Sequence, residues 1–597
     1  MTDVRPGSRR IVVEYDVETP LRDGTILRST VYRPDAADPH PALLTRTPYG
    51  RDLAVASAYF NPTTVAAAGF AVVAQDVRGR FGSDGDFEPS VNEADDGEDT
   101  IAWLAAQPWC DGTVGMWGRS YFSETQWRAA LRRPPALKAT ATGFSAGGNA
   151  DNGAVIRGGA IEFGSRFGWG HASAVLAQIA RRHAGDQAGL AASLDAYDEE
   201  DRRQRSGELL RVLPLAALAD EVDLWIAERI VPSFGATPGD ASSRLWDEPT
   251  AGGPFDLATL HIGGWYDIFL VTTLQQYRAQ LDAARAGRCP RPRLVIGPWT
   301  HIDQTGRHPD RSFGMAAGAA SVGGYGDLSS LHARWFGDVL RDRDPDEGSL
   351  AGVPAVLLFV MGEDAWRGYD ELPDFGWQRV LLGPGLTLIA DEDAAAASGG
   401  GAESFVSDPA DPVPTVGGST MMASGFPAGA ADQRGIEARD DVLCFTSGPL
   451  REPLEMIGGV RAHLALEAEA PDVDVVVRVT RVTPDGASIT LCDGITRASW
   501  RDSYAGDGLF EPGHERRLVE PGEPFTVDVT LWATACVFAP GDRLRVHVAG
   551  SSFPRWDRNP QTGGTTYDSA DVRAARVTVR TGGESWIEFQ APEGLRG

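Results

Sequence analysis

The feature that most constrains the fold is a series of short apolar runs that are continuous rather than alternating. The runs occupy residues 42–45, 70–75, 114–117, 136–142, 260–263 and 294–296. Helical apolar spacing lies between them, for example at residues 95–107 and 125–132. Strands that are apolar at every position are typical of a sheet covered on both faces, as in a parallel sheet with helices on either side. We therefore expect an α/β core.

Two stretches of the chain depart from this α/β pattern. Residues 151–245 lack strong strand runs and carry helical apolar spacing, which favours a helical cap inserted in the core. Beyond residue 350, short alternating runs such as 543–548 are separated by Pro/Gly turns, which is typical of a β-sandwich or jelly roll. We therefore divide the chain into a first core part (1–150), a cap (151–245), a second core part (246–350) and a jelly-roll domain (351–597).

Composition excludes several classes of function. The 83 acidic residues outnumber the 55 lysines and arginines, so the formal net charge is −28. Such a surface repels nucleic acids and anionic membranes, and we expect neither as a partner. The 5 cysteines form no CxxC pair and no HExxH motif occurs, so the sequence indicates no metal, disulfide framework or cofactor. The lack of an apolar signal core near the N-terminus predicts a cytoplasmic location.

The most informative segment for chemistry is Gly118-Arg119-Ser120, which follows the apolar run at 114–117 and precedes a helical pattern. A strand, a sharp turn and a helix in this order form the nucleophile elbow of α/β-hydrolases, which exposes a serine oxygen above the sheet. The backbone N–H of Tyr121 then lies at the helix start, where it can stabilise an oxyanion. A bare G-x-S match is weak, so the prediction that Ser120 is a nucleophile depends on the strand and helix around it.

Two further residues complete a candidate catalytic triad with Ser120. A serine nucleophile needs a general base, and the base needs a carboxylate that orients it. In α/β-hydrolases the order along the chain is Ser, Asp/Glu, His. Asp267 and His301 have this order, and each follows a buried run, so both lie at strand ends where ligand sites of α/β sheets gather. The alternatives are a helix N-cap for Asp267 and a structural loop histidine for His301.

Four segments together resemble the CocE/NonD hydrolase family, and the resemblance covers nearly the whole chain. They are Trp-Cys-Asp-Gly at 109–112, Gly-Met-Trp-Gly-Arg-Ser-Tyr at 115–121, Gly-Gly-Trp-Tyr-Asp at 263–267 and Gly-Pro-Trp-Thr-His at 297–301. The resemblance implies an α/β hydrolase core with an inserted helical cap and a C-terminal all-β jelly-roll domain. It also implies that Ser120 is the nucleophile, Asp267 the orienting acid and His301 the base.

The resemblance further implies an oxyanion hole formed by the Tyr49 hydroxyl and the Tyr121 N–H. Tyr49 lies in Arg-Thr-Pro-Tyr-Gly at 46–50, which is similar to the family's oxyanion loop. The alternative is a turn tyrosine that packs on the sheet. One position departs from the family's pattern, since Ser123 replaces a glycine of the elbow helix. This change leaves the triad intact but bears on how the helix approaches the neighbouring strand.

An acyl pocket is predicted from residues of the cap and of the second core part. The candidates are Glu162, Phe163, Trp169, Trp265 and Phe269. The alternative for each aromatic is the apolar core of its own domain, and for Glu162 a surface or salt-bridged site. A pocket-facing Glu162 would bind a substrate amine. Amino-acid ester hydrolases resemble one another in an acidic pair shortly after the triad aspartate, whereas apolar residues 268–270 follow Asp267. We therefore expect an uncharged aromatic or aliphatic acyl group.

Together these residues predict a serine hydrolase that cleaves a small-molecule ester or amide through an acyl-enzyme. Alternatives with the same chemistry are an X-Pro dipeptidyl-peptidase and an α-amino acid ester hydrolase or acylase. An alternative of another class is a non-catalytic carbohydrate- or protein-binding protein that uses the jelly roll, with Trp556 stacking on a sugar. The substrate and the oligomeric state are left open, and a homodimer is one of the alternatives.

Overall fold

The computed structural model describes residues 10–54, 60–146, 155–239, 256–391, 400–422, 425–504, 510–511 and 513–592. Its first part contains β1 (Ile11–Pro20), β2 (Ile26–Pro34), β3 (His40–Thr47), β4 (Ala71–Asp76), β5 (Cys110–Ser120), β6 (Leu137–Ser145), β7 (Ile156–Arg157), β8 (Ala160–Ile161), β9 (Ala258–Tyr266), β10 (Arg293–Thr300), β11 (Val356–Val360) and β12 (Ala365–Tyr369). Ten of these strands form one sheet in the order β1-β2-β4-β3-β5-β6-β9-β10-β11-β12. From β4 to β11 all neighbours run parallel, as the continuous apolar runs predict.

Helices cover both faces of this sheet. They are α1 (Arg51–Ala54), α2 (Pro62–Ala67), α3 (Glu93–Ala105), α4 (Tyr121–Leu131), α5 (Phe163–Trp169), α6 (Leu176–Arg182), α7 (Gln187–Arg205), α8 (Leu224–Arg229), α9 (Leu270–Arg285) and α10 (Leu328–Val339). Neighbouring residues of a strand point to opposite faces. Accordingly, Trp117 packs with Trp335 of α10, and the adjacent Met116 packs with Trp127 of α4. Within the described ranges no helix is long and apolar enough to cross a membrane.

The segment between β6 and β9 forms a mainly helical cap over the carboxyl ends of the parallel strands. Helix α5 continues through the π-helical turn Gly170–Val175 into α6, and α7 and α8 follow. An apolar core that includes Phe163, Phe167 and Ile226 holds these helices together. The cap also contains the short hairpin of β7 and β8, which the helical spacing did not predict. Because each of its strands has two residues, this hairpin leaves no periodic signal in the sequence.

The C-terminal part of the chain is rich in strands. They are β13 (Trp377–Gly383), β14 (Thr387–Ala390), β15 (Gly401–Ser407), β16 (Val442–Thr446), β17 (Leu454–Ala468), β18 (Asp474–Val482), β19 (Ser488–Arg497), β20 (Phe525–Phe538), β21 (Arg543–Ala549), β22 (Ala575–Thr581) and β23 (Trp586–Gln590), with the helix α11 (Arg434–Glu437) between β15 and β16. These 11 strands form one connected sheet, in which the single residue pair of β14 with β16 is parallel and the other pairings are antiparallel.

The first sheet extends beyond the boundary that was predicted at residue 350. Strand β11 pairs in parallel with β10, and β12 turns back antiparallel along β11. The run Val356–Val360 is buried at every position, like the other core strands, so it belongs to the α/β core rather than to the following β domain.

The C-terminal domain packs directly against the elements that lead to the predicted triad. One apolar cluster contains Leu270 and Leu274 of α9 together with Val527 and Phe589 of the C-terminal domain. The Tyr266 hydroxyl, at the end of β9, donates a hydrogen bond to the Thr490 carbonyl over 2.8 Å. The domain therefore contacts the core close to Asp267.

Candidate active site

A strained turn places Ser120 at the junction of β5 and α4. Its backbone lies at φ 58° and ψ −128°, which a non-glycine residue rarely adopts. Gly118 has φ +135°, and a Cβ there would approach the Phe122 Cβ to 2.5 Å, so the turn requires glycine at this position. The turn leaves the Ser120 side chain at the carboxyl end of the parallel strands.

A continuous chain of hydrogen bonds joins Ser120, His301 and Asp267. The distance from Ser120 Oγ to His301 Nε2 is 2.9 Å, and that from His301 Nδ1 to Asp267 Oδ1 is 2.7 Å. With the ring proton on Nδ1, the imidazole donates to the carboxylate and accepts from the serine hydroxyl. Both His301 and Asp267 are buried, each 2% exposed. The three residues end β5, β10 and β9, so the parallel sheet brings them together at one edge.

The His301 ring is held from two sides. Phe269 and Phe144 present their rings to it at centroid distances of 5.1 and 6.1 Å, both edge-to-face. The carbonyl of His301 accepts a hydrogen bond from the Gln304 side chain, which in turn accepts one from Arg119 at 2.6 Å. These contacts hold the ring in the orientation in which Nδ1 faces Asp267 and Nε2 faces Ser120.

Tyr49 lies beside Ser120, and its hydroxyl is within hydrogen-bonding reach of the Ser120 side chain. The indole N–H of Trp169 donates to the Tyr49 oxygen over 2.9 Å, so that oxygen acts as an acceptor toward the cap. A hydroxyl carries one proton in addition to its lone pairs, so Tyr49 can donate a hydrogen bond on the Ser120 side while it accepts one from the cap. Burial raises the pKa of Tyr49, so the hydroxyl stays protonated at neutral pH.

Tyr121 is anchored by its side chain while its backbone N–H begins α4. Its hydroxyl accepts from the Ser90 N–H at 2.8 Å and donates to Glu93 at 2.9 Å, and Glu93 pairs with Arg46 at 2.9 Å. The first N–H groups of a helix have no partner within the helix. Tyr121 lines the pocket next to Ser120, and a backbone N–H at a helix start is available to a bound anion.

The space in front of Ser120 is a small pocket of about 50 Å³ between core and cap. Its lining is mostly aromatic and aliphatic, and the residues that form it are Tyr49, Ser120, Tyr121, Glu124, Ala146, Ser165, Arg166, Trp169, Ile268, Phe269 and Met421. Met421 comes from the chain beyond the first sheet. In the described part of the chain, no group of three or more His, Cys, Asp or Glu side chains is arranged to hold a metal ion.

Known proteins resemble this chain over most of its length. The profile of the X-Pro dipeptidyl-peptidase (S15) family matches residues 23–303, and that of the X-Pro dipeptidyl-peptidase C-terminal non-catalytic domain matches residues 351–587. Cocaine esterase from a Rhodococcus species is 37% identical over 574 residues, which cover 92% of this chain and 93% of the relative. The chain belongs to the CocE/NonD hydrolase family. It is a serine hydrolase that acts on esters or amides.

Two solved structures show the same fold over the whole of this CocE/NonD hydrolase. An aminopeptidase from a marine sediment archaeon of the Thaumarchaeota aligns with a TM-score of 0.74 and 23% identity, covering 99% of this chain and 98% of that one. An α-amino acid ester hydrolase aligns with a TM-score of 0.73 and 22% identity, with the same coverage of 99% and 98%. At this identity the two likenesses support the fold alone.

Three residues predicted to line the pocket of this CocE/NonD hydrolase lie elsewhere. Phe163 is fully buried in the cap core against Phe234. Trp265 is buried below the triad, where its indole donates to the Phe359 carbonyl at 2.7 Å. Glu162 is 0% exposed and forms an ion pair with Arg157 at 2.8 Å. Of the five candidates, Trp169 and Phe269 line the pocket, because they lie at the end of α5 and just before α9, where the chain faces Ser120.

Sequence reasoning missed two ionisable residues of the pocket, Glu124 and Arg166. Glu124 is 1% exposed, its nearest cation is Arg128 at 3.4 Å, and neither carboxylate oxygen has a hydrogen-bond partner within the described residues. Burial raises the pKa of Glu124 to about 7. Burial also lowers the pKa of Arg166 to about 10, so it remains cationic at neutral pH. No local signal in the sequence distinguishes Glu124, because Ser120 precedes α4 with a non-helical backbone and helical spacing therefore does not relate the two side chains.

Ser123, which replaces the family's elbow-helix glycine, is accommodated by a hydrogen bond. It is fully buried, and its hydroxyl donates to the Ser145 hydroxyl on β6 over 3.1 Å. The helix α4 therefore contacts the neighbouring strand β6 through a polar pair at this position.

Proposed function

We propose that Ser120, His301 and Asp267 are the catalytic triad of this hydrolase and that its substrate is a small carboxylic ester. The observation that carries the proposal is the unbroken hydrogen-bond chain through the three side chains, with distances of 2.9 and 2.7 Å. In such a chain the histidine accepts the serine proton and the carboxylate stabilises the imidazolium that forms.

The proposed reaction follows from the positions of these groups. Ser120 Oγ attacks the acyl carbon while its proton passes to His301 Nε2. The Tyr49 hydroxyl and the Tyr121 N–H donate hydrogen bonds to the oxyanion of the tetrahedral intermediate. His301 then gives its proton to the leaving alkoxide, and the acyl group remains on Ser120. A water molecule, deprotonated by His301, attacks the acyl-enzyme and releases the acid.

We propose an uncharged, short aliphatic or aromatic acyl group as the preferred one. The largely apolar lining and the pocket volume of about 50 Å³ support this proposal. Glu124 in the same pocket supports a second candidate, an acyl group that carries an amine, as in α-amino acid esters. Glu162, which the sequence left open as either an amine-binding or a salt-bridged residue, is salt-bridged to Arg157 and does not supply a carboxylate for such an amine.

A panel of matched substrates tests this proposal. The purified enzyme is assayed with 4-nitrophenyl acetate, butyrate and octanoate, with an α-amino acid ester, and with an X-Pro 4-nitroanilide. We expect kcat/KM to be highest for the acetate and butyrate and to fall for the octanoate, which exceeds the pocket. Faster cleavage of the X-Pro anilide than of any ester would replace the esterase proposal by a peptidase.

Replacing Tyr49 by phenylalanine is expected to lower kcat by ~10²–10³ and to leave KM within about twofold, because the hydroxyl donates mainly to the oxyanion of the transition state. Steady-state kinetics with 4-nitrophenyl acetate measure this effect. The matched control is Trp169→Phe, which removes the 2.9 Å hydrogen bond to the Tyr49 oxygen but keeps the hydroxyl proton. A Tyr49→Phe enzyme no slower than the Trp169→Phe enzyme would exclude Tyr49 from the oxyanion hole.

Glu124 is expected to make the selectivity for acyl charge depend on pH. Below its pKa of about 7 the carboxyl is neutral, whereas above it the carboxylate repels an anionic acyl group. The ratio of kcat/KM for phenyl hemisuccinate to that for its isostere phenyl 4-methylpentanoate should therefore fall ~10-fold from pH 6 to 8.5. In the Glu124→Gln enzyme the ratio should stay level. Because both substrates use the same catalytic residues, an equal fall of the ratio in both enzymes would assign the effect to a group other than Glu124.

The non-catalytic alternative loses its main support at Trp556. This side chain is 1% exposed and donates its indole N–H to Glu162 at 3.0 Å, so it has no open face for a sugar. The antiparallel strands of the C-terminal domain support the jelly-roll interpretation, which remains part of the proposal, as do the cytoplasmic location, the homodimer and the absence of nucleic-acid and membrane partners.

A further inference from the structure

Arg157 of β7 has no part in the reaction described above, although it is buried beside the triad acid. Its side chain is 4% exposed, and its Nη2 donates to the Ile268 carbonyl over 2.8 Å. Ile268 directly follows Asp267. Although burial lowers the pKa of Arg157 to about 10, the guanidinium is charged at neutral pH. A buried cation is costly unless its partners are well placed, so this contact with the Asp267 segment calls for an explanation.

The segment that carries Asp267 is a short turn between the end of β9 and the start of α9. Within it the Asp267 N–H donates to the Gly264 carbonyl at 3.0 Å, and the Leu270 N–H donates to the Asp267 carbonyl at 3.2 Å. Asp267 Oδ1 is used by His301, and Asp267 Oδ2 is buried without a hydrogen-bond partner in the described residues. The hydrogen bond from Arg157 to the Ile268 carbonyl is an additional tie from the cap on this turn, and with it on the position of the carboxylate.

Arg157 is itself held by a buried charge cluster that reaches into the C-terminal domain. Its Nε lies 2.8 Å from Glu162 Oε1, which also accepts the Trp556 indole N–H at 3.0 Å. The other oxygen of Glu162 lies 3.7 Å from Arg555, and Arg555 donates to Asp493 at 2.6 Å. The cap and the C-terminal domain thus share one set of paired charges, and Arg157 links that set to the core through the Ile268 carbonyl.

A strained residue of the C-terminal domain covers the Arg157 guanidinium. In β20, Thr530 pairs with Arg461 and Ala533 pairs with Gly459, so Leu531 and Trp532 together face one residue of β17. This β-bulge puts Trp532 at φ +69° and its ring 4.5 Å from the guanidinium carbon of Arg157. Bulges re-aim side chains, and a bulky residue at positive φ persists only where the surroundings enforce it.

We propose that Arg157 is a positioning residue for the catalytic aspartate and that the C-terminal domain keeps it in place through Trp532. Arg157 acts through the Ile268 carbonyl and touches neither the substrate pocket nor His301. The proposal assigns a catalytic consequence to a domain that contributes none of the triad residues. It rests on the proposed role of Asp267.

The test compares Arg157→Met and Arg157→Lys with the matched control Arg478→Met. Arg478 is buried in the same charge cluster, where it lies 3.7 Å from Asp493 and 3.5 Å from the Ser552 hydroxyl rather than at the Ile268 carbonyl. We expect Arg157→Met to lower kcat for 4-nitrophenyl acetate by about 10²-fold with KM within about twofold, because a misplaced triad acid affects the chemical step. The kcat of Arg157→Lys should be at least about tenfold higher than that of Arg157→Met, because the lysine ammonium can still donate to the Ile268 carbonyl.

A loss of Tm alone does not count as support, since Arg478→Met is expected to lower Tm while kcat stays within about twofold of the wild type. Trp532→Ala leaves every buried charge paired and remains informative if Arg157→Met does not fold. It should lower kcat by about threefold to tenfold at unchanged KM. The Trp532→Phe enzyme should be close to the wild type.

Arg157→Met with wild-type kcat, or an Arg157→Lys enzyme as slow as a defective Arg157→Met enzyme, would overturn the positioning role, and Trp532→Ala with wild-type kcat would overturn the part of the C-terminal domain. These outcomes are distinct from a failure of the proposed function. If Asp267→Asn keeps wild-type activity, the triad assignment itself is wrong. If Asp267→Asn is inactive while the Arg157 variants are unaffected, the triad stands and the positioning role falls.

Discussion

Ser120→Ala is expected to abolish ester hydrolysis, with kcat falling by a factor on the order of 10⁶. The variant lacks the oxygen that lies 2.9 Å from His301 Nε2, and the acyl-enzyme cannot form without it. Spectrophotometric assay with 4-nitrophenyl acetate measures the rate. Intact-protein mass spectrometry after treatment with a fluorophosphonate measures covalent labelling, which should be stoichiometric for the wild type and absent for the variant.

The matched control for this variant is Ser123→Ala. Ser123 lies three residues further along the same elbow but is buried and bonded to Ser145 at 3.1 Å. We expect it to keep near wild-type kcat and to lose about 1 kcal/mol in the free energy of unfolding, as for a typical buried hydrogen bond. An active, labelled Ser120→Ala enzyme would refute the assignment of the nucleophile.

Asp267→Asn is expected to lower kcat by about 10⁴ while the fold is retained. The carboxylate accepts the His301 Nδ1 proton over 2.7 Å. An asparagine that donates to Nδ1 instead moves the ring proton to Nε2, where it blocks acceptance of the serine proton. Pre-steady-state measurement of 4-nitrophenol release isolates the acylation step, and the loss should appear there.

Asp303→Asn makes the same chemical change two residues after His301. Asp303 Oδ1 accepts the Thr305 N–H at 2.7 Å, a bond that asparagine can keep, whereas the His301 ring is bonded to Asp267. We expect its kcat to stay within about twofold of the wild type. Equal losses in both variants would mean that general electrostatics, rather than orientation of His301 by Asp267, sets the rate.

Much of the fold could be predicted from strand periodicity. A parallel strand is buried on both faces, so Met116 and Trp117 are both apolar although they pack into different clusters. The boundary near residue 350 was harder to predict. Strand β11 belongs to the first sheet because it pairs with β10, and pairing between distant segments leaves no local mark in the sequence.

The pocket was predicted less completely than the triad. Glu162 and Phe163 belong to the cap segment that faces Ser120, but their side chains turn into the cap and into the buried charge cluster. Glu124 and Met421 were missed because nothing in their local sequence distinguishes them from surface or core residues. Burial without a hydrogen-bond partner, which raises the pKa of Glu124 to about 7, is a property of its surroundings.

The sequence by itself determined which residues form the candidate triad and their order along the chain. A strand, Gly-x-Ser and a helix come first, and an aspartate and a histidine follow at the ends of later buried strands. Parallel strands end at one edge of a sheet, so these three residues meet wherever this core forms. The tertiary structure alone decided which cap and C-terminal side chains face the pocket and which support it. Trp169 reaches Tyr49, whereas Glu162 pairs with Arg157, because helix rotation and domain packing set these directions and residue type does not.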